Sequence, residues 1–322
     1  MAQGIAAPVD HLRDLLAEGN PDALRALSVP LRYEPMLQWE EFLPQWKEPA
    51  TVIGDDPVRW LSDVRSVLSC WPGPLTLVLN QRCLYSLIDP SHTKWLDALR
   101  SLLSSPIPTL VGLEVDLPGL DFTDLEVGHL ATLRYLSLRS VTGVPDLLAM
   151  CSNLDNLRVR NISELVSLPA ARCVDTDVAT TSRLPFRMEQ LYLRGNDIAR
   201  AISLLDPVAQ VRRLALDLEY MHWLFHPEDL ANALQHLGVE ELAITMPWSL
   251  DTMEGGGDEA WQKCLRALSS LPTLRTLRLP WDTASGPEDM EQAITASLGD
   301  VTWDRQSLLW PRSEGPVWAG WW

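Results

Sequence analysis

The chain has 322 residues, 46% of them hydrophobic and 21% charged, which is the composition of a folded globular protein with one large domain or two ordinary ones. Lys and Arg number 26 against 43 Asp and Glu, a formal net charge of -17, which excludes bulk attraction to nucleic-acid phosphates or an anionic membrane surface. No apolar run reaches the roughly 18 residues of a membrane-spanning helix, and Met1 to His11 lacks the basic-then-apolar order of a secretory signal, so a cytoplasmic location is expected.

The first 70 residues read as helical. Leu12, Leu15 and Leu16 suggest one helix, and Asn20-Pro21 caps a second that ends near Leu27. Met36 to Trp46 is aromatic and acidic, with Trp39, Phe42 and Trp46. Asp56-Pro57 makes an N-cap and first turn, after which Val58, Leu61, Val64 and Leu68 keep helical spacing. Leu75-Leu77-Leu79 then alternates as a strand does, and Leu96, Leu99 and Leu103 return to helical spacing.

From here an L-x-x-L-x-L string, or an apolar variant, recurs. Its copies are Leu110-Leu113-Val115, Leu133-Leu136-Leu138, Leu154-Leu157-Val159 and Met188-Leu191-Leu193, then Val211-Leu214-Leu216, Val239-Leu242-Ile244 and Leu274-Leu277-Leu279. The fourth continues to Asn196 and Ile198. The middle leucines stand 21 to 36 residues apart, and the long gap before Leu191 has room for a degenerate strand near Arg172 to Val178. Between copies, Pro145 opens a short helix to Met150. Pro227 opens another with Leu230, Leu234 and Leu237 on one side and Gly238 to end it. Asp258 starts a segment with Trp261, Leu265 and Leu268, and Pro287 starts one with Met290, Ile294 and Leu298 before Gly299. Strand alternating with helix implies an α/β fold with a parallel sheet and helices outside it.

The repeated string resembles that of leucine-rich repeat proteins over about Leu75 to Asp304. The irregular spacing and mostly missing asparagine are similar to the divergent kinds, ribonuclease-inhibitor-like or F-box-associated. The resemblance implies a solenoid: a curved parallel sheet with outer helices, in which stacked strands bury one leucine core. Residues 1–70 would then be a helical N-terminal cap and 71–305 the repeats. Residues 306–322, with Trp303 just before them and Trp310, Trp318, Trp321 and Trp322 within them, would be a Trp-rich C-terminal cap or tail. Residues Val29 to Trp46 also echo an F-box, the docking module of a ubiquitin-ligase substrate receptor.

Position along the strand then selects a candidate site. The residues inside and just after L-x-L are expected on the solvent-facing, concave side. The central strands place Arg139, Arg158, Arg160, Arg194 and Arg213 there, with Tyr135 and Tyr192. Arg supplies 23 of the 26 cations, and its forked donors suit carboxylate or phosphate groups. One outcome is a basic surface that holds an acidic or phosphorylated segment of a protein partner. The other is a neutral ladder in which Asp116, Asp175 or Asp177, and Asp217 pair with the arginines. A glycine-rich acidic loop, Trp248 to Glu259, is a second candidate for recognition.

Catalytic signatures are missing from the sequence: there is no G-x-S-x-G, H-E-x-x-H, P-loop or G-x-G-x-x-G. Cys70, Cys83, Cys151, Cys173 and Cys264 are widely spaced and read as reduced, structural thiols. Cys173-Val174-Asp175 resembles the C-x-D of bacterial effector ubiquitin ligases over three residues only. His222 and His226 lack a third ligand at suitable spacing for zinc. The expectation is therefore a non-catalytic protein-protein interaction module with no cofactor, no metal and no nucleic-acid or membrane partner. An F-box-like adaptor of a ubiquitin-ligase or defence complex, or a structural subunit of a larger assembly, is the alternative.

Overall fold

The computed structural model describes residues 29–33, 75–80, 100–105, 107–123, 130–218, 227–244, 265–278 and 299–304, with a few single positions between them. The strands in chain order are β1 (Val29–Tyr33), β2 (Leu75–Asn80), β3 (Leu110–Asp116), β4 (Tyr135–Arg139), β5 (Leu154–Arg160), β6 (Val166–Ser167) and β7 (Ala171–Asp177). They continue with β8 (Thr181–Arg183), β9 (Arg187–Gly195), β10 (Gln210–Leu218), β11 (Glu241–Ile244), β12 (Thr276–Arg278) and β13 (Thr302–Asp304). Three helices are delimited: α1 (Val144–Met150), α2 (Ile198–Leu205) and α3 (Pro227–Leu234). The protein is α/β and its strands pair in parallel. Packing divides it near residue 155, with β1 to β4 and α1 in one compact unit and β5 to β13, α2 and α3 in a second.

In the first unit β1, β2, β3 and β4 lie side by side in chain order, all parallel. Their register aligns Leu31, Leu77, Leu113 and Leu136 as a single column. Leu77, Leu113 and Leu136 are buried, as are Leu110 and Leu133 three residues before the last two, and Val115 and Leu138 two residues after. Each such side chain taken from water stabilises by about 1.5–3 kcal/mol, which is how strands of five to seven residues persist. β1 falls within the stretch expected to be a helical cap, just after the helix expected to end near Leu27, and it pairs in parallel with β2. The rest of the F-box echo lies outside the described residues.

Helix α1 starts where the Pro145 signal places it. Gly143 precedes it at φ 70, and a Cβ there would stand 2.2 Å from the Thr123 backbone nitrogen, so only glycine fits. The N–H groups of Gly143 and Val144 donate to the two carboxylate oxygens of Glu164 at 2.9 and 3.0 Å, which satisfies the open end of the helix. Ser140 and Asn161, each just after a strand's last residue, both take positive φ, so the same repeat position turns the chain twice.

The second unit holds β5, β7, β9, β10, β11, β12 and β13 in that order. Val174, Leu191, Leu214, Leu242, Leu277 and Trp303 form its central column in register. The first five are buried. The degenerate strand is present as β7. It carries Thr176 where β5 and β9 carry Val159 and Leu193, and the cost of a buried hydroxyl is met locally. The Thr176 and Thr181 hydroxyls bond each other at 2.7 Å, and Thr181 donates to the Asp177 carbonyl at 2.8 Å.

Two return segments differ from the helical expectation: after β5 and β7 the chain forms β6 and β8, which pair in parallel. Helix α2 was not signalled by a proline. Asp197 caps it, accepting the Arg200 N–H at 2.9 Å. Leu230 and Leu234 of α3 and Leu237 just beyond it are buried, and Gly238 takes φ 68, as its spacing predicts. Leu265 and Leu268 of a helical stretch at 265–269 are buried too. The loop Trp248 to Glu259 and the tryptophans after Trp303 lie outside the described residues, as do His222 and His226. No helix among the described residues is long and apolar enough to cross a membrane.

Cys151 closes α1 with its thiol donating to the Leu147 carbonyl, and burial pushes that thiol up to about 12. Native protein treated with iodoacetamide near pH 8 should therefore be alkylated at the exposed Cys70 and spared at Cys151 until denaturant is added, as peptide mass mapping will read. Equal labelling of the two in native protein would contradict this packing.

Candidate functional site

The L-x-L rhythm turns leucines to the core and the residues between and after them to the other face. Of the seven side chains expected there, Tyr135 and Arg139 belong to the first unit, and Arg158, Arg160, Tyr192, Arg194 and Arg213 to the second. In the first, Tyr135 is half-buried opposite Gly112, and the Arg139 guanidinium lies 3.8 Å from Asp116 on the neighbouring strand.

The second unit gathers its five. Arg160 grips Asp175 with two parallel bonds of 2.7 Å, Nε to one carboxylate oxygen and a terminal nitrogen to the other. Arg158 approaches the same carboxylate at 3.6 Å. The Arg160 guanidinium also stacks 4.9 Å from the centre of the Tyr192 ring. Tyr192 donates its hydroxyl to Asp217 at 2.7 Å, and Arg194 lies 3.7 Å from that carboxylate. Arg213 meets Glu241 at 3.2 Å, and Arg278 meets the other oxygen of Glu241 at the same distance. The chain Arg158–Asp175–Arg160–Tyr192–Asp217–Arg194 is thus one connected network over four strands.

Its electrostatics follow from burial. Burial pushes the Asp175 carboxyl up from the ordinary aspartate range, and the charges of Arg160 and Arg158 pull it back. Burial also raises the Tyr192 phenol, and its bond to the charged Asp217 raises it further. The Cys173 thiol is pushed up by burial, with Arg172 opposing.

Of the two alternatives for the arginines, pairing is the one seen in each unit: every arginine of the seven is within 4 Å of a carboxylate. The residues inside L-x-L are not uniformly on the surface: Ser137, Asp175, Ala215 and Ala243 are buried. Strands about 4.8 Å apart let a long side chain close over a short neighbour. Register puts Glu114 beside Ser137, Tyr192 beside Ala215 and Arg278 beside Ala243.

The arginines consequently differ in what they can offer a ligand. Arg160 is 15% exposed and held by both Asp175 and the Tyr192 ring, whereas Arg194 is 42% and Arg139 50% exposed with ion pairs of 3.7 and 3.8 Å. A further charged column went unmarked in the sequence. The residue two before each middle position gives Arg172, Glu189, Arg212, Glu240 and Arg275, alternating in sign across β7, β9, β10, β11 and the approach to β12. The L-x-x-L spacing held the signal, because two residues, not one, separate those apolar positions and both escape the core. Among the described residues no group of three or more His, Cys, Asp or Glu could hold a metal ion.

No protein-family model matches the chain, and no curated protein matches it either.

Two outcomes test the network. Arg160→Met, which leaves the buried Asp175 with only the longer Arg158 contact, should cost about 3 kcal/mol in urea unfolding, whereas Arg139→Met, at an exposed pair, should cost less than about 1 kcal/mol. Equal small costs would mean that Asp175 is not held as described. The raised Tyr192 phenol keeps its proton in the folded chain where the unfolded chain has lost it. Its contribution is therefore full below about pH 10 and falls above. Urea midpoints followed from about pH 9 to 11 should drop more steeply for native protein than for Tyr192→Phe, and parallel profiles would refute the assignment.

Proposed function

We propose that the chain is a divergent leucine-rich repeat solenoid with an N-terminal cap, acting in the cytoplasm as a non-catalytic module that binds a protein partner on its polar sheet face. The observation that carries this reading is the register. Parallel strands bury the same leucine position side by side, so the opposite side chains form a continuous polar surface before any partner arrives. A surface set by the backbone loses little freedom on binding, which favours multi-point recognition.

The pairing of the arginines refines the partner. In the second unit Arg158, Arg160, Arg194, Arg213 and Arg278 face Asp175, Asp177, Asp217 and Glu241, so this part of the face is close to neutral. A partner with mixed charge suits it better than one recognised by a single phosphate. Half-exposed Arg194 in the second unit, and separately half-exposed Arg139 in the first, are the contacts proposed to face a partner, and Arg158 and Arg160 hold Asp175 in place.

Affinity capture from the source cells tests this with native protein, Arg194→Glu and Arg139→Glu, each verified to melt like native protein. The proposal expects one co-purifying protein whose recovery falls about tenfold in at least one variant. Identical recovery of every co-purifying protein in all three would overturn it.

A further inference from the structure

The column at the amino-terminal margin of the second unit's strands differs in build from the Arg160 network. Arg172 and Arg212 are 59% and 53% exposed, and Arg275 is exposed as well, whereas Glu189 and Glu240 between them are 35% and 33% exposed. Arg172 meets Glu189 at 3.5 Å and Arg212 meets Glu240 at 3.0 Å, each through Nε. The arginines are therefore the more exposed members of the column, each of the first two sharing its charge with a neighbouring glutamate. At the far end Arg275 also lines an open cleft of about 700 Å³ with Ser269, Leu274, Asp300 and Thr302.

Spacing then narrows the ligand. Arg172, Arg212 and Arg275 sit on alternate strands, so with strands ~4.8 Å apart they recur about every 9.6 Å. An extended strand puts same-side residues ~6.8 Å or ~13.6 Å apart and misses that interval. An α-helix offers about 10.5 Å every seven residues and is ~1.8 Å out of step by the third arginine. A polyproline II segment, with three residues per turn at ~3.1 Å each, offers about 9.3 Å and stays within ~0.6 Å over the same span.

We infer that the Arg172–Arg212–Arg275 column is a docking ridge for an acidic segment in polyproline II conformation, with one carboxylate at every third residue, each set against one guanidinium. This rests on the reading of the chain as a protein-binding module and names the chemistry of one partner segment. A segment rich in like charge is extended when free, so little conformational change accompanies docking. The protein's net charge of -17 opposes such a ligand at long range, and at physiological salt the ~8 Å screening length leaves the local column to decide.

The test uses the full chain and three synthetic peptides of about fifteen residues and identical composition, each with three glutamates in a Pro/Ala/Ser background. One places the glutamates three apart, one seven apart and one in a contiguous block. Fluorescence anisotropy at physiological salt should find the three-apart peptide bound about tenfold more tightly than the other two. A combined Arg172→Gln, Arg212→Gln, Arg275→Gln variant with an unchanged melting temperature should lose about tenfold of that affinity. Added salt should weaken binding to native protein. Tightest binding of the seven-apart peptide would mean a helical occupant and would overturn the inference. Equal binding of the three, no binding, or full affinity in the combined variant would overturn it too. Partner capture through Arg194 and Arg139 does not depend on these three residues, so it can succeed where the peptides fail, and the two readings are separable.

Discussion

The fold rests on one constraint: the middle apolar residue of every strand must lie beside its counterpart on the next strand. Leu31, Leu77, Leu113 and Leu136 do so in the first unit, and Val174, Leu191, Leu214, Leu242, Leu277 and Trp303 in the second. A one-residue slip would turn each leucine to water and each arginine to the core. That penalty, repeated on every strand, is why short strands separated by unequal lengths of chain still align.

The same alignment governs the charges. Once each strand position becomes a column, like charges would stand only ~4.8 Å apart and repel. The chain avoids this by alternating sign. Asp116 faces Arg139 in the first unit. In the second, Asp177, Arg194 and Asp217 follow one another, as do Arg172, Glu189, Arg212, Glu240 and Arg275 at the other margin. The local balance contrasts with the net charge of -17, so the acidic excess is carried by residues outside this face. Arginine serves here as a geometric element as much as a charge, since a fork can grip Asp175 while its flat side covers Tyr192.

Strand β7 shows how a weak repeat is retained. Ala171, Val174 and Thr176 bury less apolar surface than the leucines around them, and Asp175 adds the cost of a buried carboxylate. Thr181, from the return segment, satisfies the hydroxyl, and Arg158 and Arg160 satisfy the acid. Removing only one member of such a set leaves a buried polar group without its partner, so the degenerate strand is the most interdependent part of the unit. For the proposed recognition role this matters directly, because the residues that repair β7 also position Tyr192, and Arg194 at the surface borders them.

Much of the backbone was legible in the chain itself. Alternating leucines marked β2 to β5 and β9 to β12, prolines marked the starts of α1 and α3, and Gly238 marked the residue after the last turn, because these signals depend on neighbours a few residues away. Helix α2, capped by Asp197 without a proline, and the β6–β8 pair in place of helices gave no comparable local sign. The seven site residues lie on strands, and Asp116, Asp175 and Asp217 were legible as candidate partners of the arginines, but not which arginine each would meet. Arg160 finds Asp175 fifteen residues on, Tyr192 finds Asp217 twenty-five on and Arg213 finds Glu241 twenty-eight on. Which charge lies beside which depends on register and on the length of each return segment, and those are fixed only when the strands stack. The chain by itself determined which apolar side chains would form the core, but not that Ser137 and Asp175 would be buried with them. Tertiary structure alone decided that the arginines are mostly spoken for, because ion pairing acts between strands and hydrophobic periodicity acts within one.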